Sequence, residues 1–144
     1  MIDLFSKVNL IPLKDLVPHE EHYPKKSSEI SKYLMLGPIY NLAPIIIDQK
    51  TKMIIDGHHR FQALIEAKKS FAPCVLINYQ KKEVFVFKKA IGGQLIDKNE
   101  ILSKAFEKKL YPQKFTCHAI EISQGEFVHI SKLVNPTEVP LQEL

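Results

Sequence analysis

The chain has 144 residues, 45% of them hydrophobic and 25% charged, with a net charge of +4. These proportions exclude a disordered polyelectrolyte, and two cysteines without C-x-x-C spacing exclude a disulfide framework or a cysteine zinc site. The length suffices for one buried core, so a single domain over residues 1–144 is expected.

Residues 9–16 read as an early strand broken by Pro12 and leading to Pro18. Ser27 or Ser28 is expected to cap a helix through Leu36, stopped by Gly37-Pro38, with Ile30, Tyr33 and Leu34 on its buried face. Residues 44–47 and 52–55 flank Asp48-Gln49-Lys50-Thr51 and predict a hairpin that ends at Asp56-Gly57. A central helix follows, then strands over 73–78 and 83–87, with Cys74 read as plain core. Asp97 with Glu100 gives a capping-box start for a helix through Leu110, with Ile101, Leu102, Ala105 and Phe106 as its apolar face. Residues 118–122 and 126–130 around Ser123-Gln124-Gly125 predict a closing hairpin, and the proline-interrupted tail from Asn135 an irregular strap. The expected class is α+β, a small mixed or antiparallel sheet with helices.

The basic excess suits an anionic ligand without choosing between nucleotide and nucleic acid. Paired lysines such as Lys25-Lys26 and Lys88-Lys89 read as solvated faces, since no block of five like charges occurs. Residues 1–16 carry Asp3 early and no basic region before an apolar stretch, so a signal peptide is not expected. Nor does any apolar run approach the roughly 20 residues of a membrane span. A soluble, cytoplasmic protein without membrane association is expected.

The most informative stretch is Met53 to Leu64, where an apolar run stops at Asp56-Gly57 and a basic amphipathic segment begins with His58-His59-Arg60. Phe61, Leu64 and Ile65 follow at helical spacing, so the stretch is a strand feeding a helix N-terminus. Glycine at such a pivot lets a ligand approach the backbone, and the first N–H groups of the helix form an anion site. With Arg60 and two histidines around it, the junction is shaped for phosphate.

The segment I-D-G-H-H-R-F-Q-A-L resembles the signature of the ParB/sulfiredoxin superfamily, whose strand-turn-helix binds nucleotide phosphates. Partition proteins of the ParB branch carry G-E-R-R there, and sulfiredoxins carry a catalytic cysteine where His58 stands. The D-G-H-H-R form is similar to the free serine kinases, which phosphorylate L-serine to O-phospho-L-serine with ADP or ATP. Two further segments share that resemblance: residues 16–21, L-V-P-H-E-E, and residues 111–118, Y-P-Q-K-F-T-C-H, which match the family at Pro112, Lys114, Thr116 and His118.

The resemblance implies a ParB/sulfiredoxin-like domain, a catalytic base at Glu20 with Glu21 as its neighbouring competitor, and phosphate binding by Gly57, His58, His59 and Arg60. Lys114, Thr116 and His118 complete the phosphate site or hold the amino acid carboxylate. Asp56 is assigned a catalytic part: orienting a histidine, binding the serine ammonium or reaching magnesium through water. ADP or ATP, magnesium and L-serine are the implied cofactors and substrate. The alternative is a ParB-like nucleotide-binding module or sensor associated with DNA; it wants a basic helix-turn-helix segment that is not evident here, so nucleic acid is not the expected partner.

Overall fold

The computed structural model describes residues 4–144; Asp3, on which the reading against a signal peptide rests, lies outside them. In chain order the elements are β1 (Asn9–Pro12), α1 (Pro24–Leu34), β2 (Ile39–Leu42), β3 (Ile45–Asp48), β4 (Ile54–Asp56) and α2 (His58–Glu66). There follow β5 (Phe71–Ile77), β6 (Val84–Lys88), α3 (Lys98–Phe106), β7 (Thr116–Ser123), β8 (Glu126–His129) and β9 (Thr137–Pro140). The class is α+β, with a four-stranded sheet ordered β1-β5-β3-β4, a three-stranded sheet β6-β7-β8 and a two-stranded pair β2-β9. Among the described strands β3 and β5 pair in parallel, and the other strand pairs are antiparallel.

The run Ile45-Ile46-Ile47 lies inside the four-stranded sheet and is buried throughout, because both faces of the sheet are covered. Ile45 and Ile47 pack with Leu34, Tyr40 and Leu64 on the side of α1 and α2. Ile46 points the other way, with Val84, Val86, Ile101 and Ile120, toward α3 and the three-stranded sheet. The expected hairpin is formed by β3 and β4, and Cys74 is fully buried in β5.

Several expected boundaries move. Helix α1 starts at Pro24, which the fixed φ of proline favours in a first turn, and so Ser27 lies inside the helix and not at its cap. Its buried residues are Ser27, Ser31 and Leu34, one face at i, i+4 and i+7, while Tyr33 is exposed. Helix α3 ends at Phe106, short of Leu110, and the Asp97 side chain caps it by accepting from Asn99 N–H at 2.9 Å. Phe106 is exposed. The tail is partly regular: β9 pairs with β2, a strand the sequence reading did not contain.

Candidate active site

The chain before α1 is fastened on both sides. Val17 N–H donates to Lys52 O at 3.1 Å and Ile54 N–H to Val17 O at 2.8 Å, laying residues 16–19 along β4. Tyr111 N–H donates to His19 O and Glu21 N–H to Tyr111 O, both at 2.9 Å, clamping the same stretch to the loop before β7. Glu20 is thereby carried beside the start of α2. Its side chain lines a cleft of about 340 Å³, whereas Glu21 is exposed and does not line it.

Loop 112–116 grips the Glu20 carboxylate. Lys114 holds a left-handed φ of 59°, and this bend brings its N–H to 2.8 Å from Glu20 Oε1 and Thr116 N–H to 3.0 Å from Oε2. The Thr116 hydroxyl also donates to Oε2. Burial raises the carboxyl pKa above its ordinary value, and the Thr116 and Lys114 donors only partly counter it.

Facing Glu20 across the cleft is the N-terminus of α2. Gly57 caps it with φ 115° and ψ 26°, a left-handed conformation that turns the end of β4 into the helix. The first-turn N–H groups have no carbonyl within their own helix to bond, and they carry the positive end of its dipole. Asp56 accepts from an Arg60 terminal nitrogen at 3.2 Å, one helical turn on, and so aims the guanidinium.

The two histidines of the junction use Nε2 as an acceptor. His58 Nε2 receives the N–H groups of His19 at 3.1 Å and Glu20 at 3.3 Å, and His59 Nε2 receives Tyr23 N–H at 2.9 Å. Both rings are therefore neutral, with the proton on Nδ1. Burial lowers the His58 pKa well below its ordinary value; His59 is lowered to about 4 by burial, then by the charges of Lys26, His22, Lys114 and Arg60. Positive charge in the cleft comes instead from Lys26, Arg60, Lys89 and Lys114, against the carboxylates of Glu20 and Asp56. That balance suits an anionic ligand.

Glu20, Asp56, Gly57, His58, His59, Arg60, Lys114 and Thr116 all line this one cleft. His118 does not. It is 3% exposed on β7, its Nε2 bonded to the Tyr79 hydroxyl at 2.7 Å, and burial lowers its pKa, so the expectation that it helps bind phosphate or substrate is corrected. Lys26, Lys89, Cys117 and His129 line the cleft without having been expected there. Burial raises the Cys117 thiol, which is the opposite of an activated nucleophile. His19, unassigned from sequence, is fully buried directly behind Glu20. A wider depression of about 530 Å³ around Pro12 and Phe71 has lysines but no carboxylate or histidine in its lining, so volume alone does not mark the site.

No family model matches the chain. A curated ParB-like protein of Sulfolobus acidocaldarius is 33% identical over 73 residues, 51% of this chain; the match spans 36% of that relative's length. A free serine kinase in complex with AMP superposes with TM-score 0.76 at 14% identity, covering 96% of this chain and 93% of that one. A mutant free serine kinase in complex with ADP superposes with TM-score 0.78 at 14% identity, covering 96% and 94%. The chain thus has the ParB/sulfiredoxin-like fold in the form seen in the free serine kinases. Among the described residues no helix is long and apolar enough to cross a membrane.

Proposed function

We propose that the cleft is the active site of a kinase that transfers a phosphoryl group from ADP or ATP to the hydroxyl of free L-serine, giving O-phospho-L-serine. The observation that carries this reading is the placement of a desolvated carboxylate, Glu20, across a 340 Å³ cleft from a helix N-terminus surrounded by Arg60 and three lysines. Nucleotide binding is supported by the likeness to kinases solved with AMP and ADP. Serine as acceptor rests on the motif resemblance together with that fold.

Phosphoryl transfer calls for a placed nucleophile, neutralised phosphate charge and a base. The α2 N-terminus, Arg60, Lys26, Lys89 and Lys114 neutralise the phosphates and leave the transferred group facing Glu20. Glu20 accepts the serine hydroxyl proton as the serine oxygen bonds to phosphorus and the bridging P–O bond to the nucleotide breaks. Its raised pKa makes it a better proton acceptor than an exposed carboxylate. Asp56 orients Arg60, and His58 and His59 fix the backbone carrying Glu20 and the start of α1.

The protein groups alone do not build a magnesium site. Among the described residues no three His, Cys, Asp or Glu side chains are placed to share an ion, and protein donors already engage both cleft carboxylates. Magnesium would enter with the nucleotide, where it would offset phosphate charge.

Phosphorus NMR of the protein with magnesium, L-serine and ADP or ATP tests the reading. O-phosphoserine should appear, and Glu20→Gln should lower turnover by about 10²–10⁴ while leaving nucleotide affinity within about twofold. Full turnover in that variant would remove Glu20 as the base. The partial likeness to a ParB-like protein favours a second reading, a nucleotide sensor, which predicts saturable nucleotide binding and no phosphoserine with either donor.

A further inference from the structure

His19 and Glu20 are neighbours in sequence, yet their side chains are joined through Thr116, almost one hundred positions away. His19 Nδ1 lies 2.7 Å from the carbonyl oxygen of Ile54, which can only accept, so Nδ1 carries the proton. In the neutral ring Nε2 is then a bare acceptor. It lies 2.9 Å from Thr116 Oγ1 and 4.0 Å from Glu20 Oε2, and the threonine oxygen touches both. One hydroxyl proton faces two acceptors. When Glu20 is ionised its carboxylate is the stronger acceptor and takes the bond. Once Glu20 is protonated its oxygen is a weak neutral acceptor, and the imidazole nitrogen becomes the better one.

We propose that the Thr116 hydroxyl is a two-position donor, bonded to Glu20 while that carboxylate is charged and to His19 Nε2 once it has taken up a proton, which makes His19 a positioning residue that strengthens Glu20 as a base. The inference rests on the reading of Glu20 as base and adds a group that the motif resemblance does not assign. In the reaction step the serine O–H breaks and its proton goes to Glu20; the Thr116 O–H stays covalently intact and only rotates. The turn preserves one hydrogen bond that protonation would otherwise weaken, and so favours the protonated product of the step. Without His19 the hydroxyl has only Glu20 to bond, which holds the carboxylate ionised to lower pH.

His19 is kept from taking the proton itself. Its pKa is lowered to about 4 by burial, against the raising effects of the Ile54 carbonyl and Asp56. The titratable groups around it are His58 from α2, His118 from β7 and Tyr111 from the loop, with ring centroids 4.6, 5.3 and 6.5 Å away, and Glu20 itself. Around Glu20 the cleft places the carboxylate of Asp56, the cations of Lys26, Arg60, Lys89 and Lys114, the neutral His58 and His59, and His129. No permanent cation is packed against the His19 ring among these.

The test is a pH titration of the whole protein, free of nucleotide and serine, following the ¹⁵N shifts of the His19 ring and the ¹³C shift of the Glu20 carboxyl. His19 Nδ1 should remain protonated throughout, and Nε2 should move from the free to the hydrogen-bonded imine position with the same midpoint as Glu20. Thr116→Val should abolish the Nε2 movement and Thr116→Ser should restore it. In Glu20→Gln, Nε2 should show no dependence on pH in that range, a readout that stands even if Thr116→Val fails to fold. His19→Phe should move the Glu20 midpoint down by about half to one pH unit. A flat Nε2 shift across the Glu20 midpoint, coupling that survives in Thr116→Val, or a doubly protonated His19 ring would overturn the proposal. Because no turnover enters these measurements, failure of the kinase reading is scored separately by the phosphoserine assay.

Discussion

A methyl group on Gly57 would stand 3.0 Å from an Arg60 terminal nitrogen and 3.2 Å from Ile45 Cγ1, and the position already has a φ of +115°. The backbone term alone costs about 1–2 kcal/mol for a residue with a Cβ. The contact with Arg60 adds a functional cost, because the guanidinium that Asp56 aims must move. Gly57→Ala is therefore expected to lower the denaturation midpoint and to weaken nucleotide binding about tenfold, the loss of one charge-assisted hydrogen bond. Calorimetric titration with ADP checks it: unchanged affinity in a folded variant would mean that Arg60 does not need its present position. This junction was legible in the sequence because the apolar run, the glycine and the helical spacing fall within twelve consecutive residues. The acceptor roles of His58 and His59 were not, since a histidine in a motif does not reveal which ring nitrogen meets a backbone N–H.

The two helices beside the cleft act as a pair. Tyr23 N–H donates to His59 at the start of both, and Ser27 and Ser28 donate to Glu66 of α2 at 3.3 and 3.5 Å. Leu34, 1% exposed, anchors the far end of α1 among Tyr40, Ile45 and Leu64. Leu34→Ala should cost about 2–5 kcal/mol in denaturation and, by loosening α1, should weaken nucleotide binding through Lys26. A variant with the stability loss but unaltered nucleotide affinity would show that Lys26 contributes nothing from its place on α1. Element periodicity recovered the β3–β4 hairpin, α2, β5 and the β7–β8 hairpin, all built from local signals. It could not recover β2, whose partner β9 lies about a hundred residues away, nor the meeting of Lys26 of α1, Lys89 of the bend after β6 and His129 of β8, which follow no spacing. His118 misled for a related reason: it shares the motif segment with Lys114 and Thr116, but the strand carries it past the cleft to Tyr79.

Across the whole molecule, His19, His58 and His118 form one buried neutral cluster between the four-stranded and three-stranded sheets. All three have folded pKa values below the unfolded value of about 6.5, through burial first; for His19 the folded value is about 4. Between those limits the unfolded chain binds protons that the folded chain refuses. Their contribution to stability is thus fully present above about pH 6.5 and is lost as pH falls below it, for His19 down to about 4, with at most one proton of pH dependence from each histidine. Glu20 has the opposite sign. Its folded pKa is raised, so its contribution is present at low pH and is lost as pH rises through the folded value, which softens the acid slope without reversing it. Urea denaturation at intervals from pH 7 to 4 should show stability falling steadily with acid. His118→Gln, which preserves a partner for the Tyr79 hydroxyl and lies outside the cleft, should be less stable at pH 7 yet fall less steeply, by one proton. An identical slope in that variant would remove His118 from the cluster responsible. The same acid sensitivity bears on the cleft, because a charged His58 ring has no lone pair on Nε2 for the His19 and Glu20 N–H groups. Nucleotide binding and global stability should accordingly decline together in the parent protein as pH falls, since one set of neutral rings both supports the core and holds Glu20 in place.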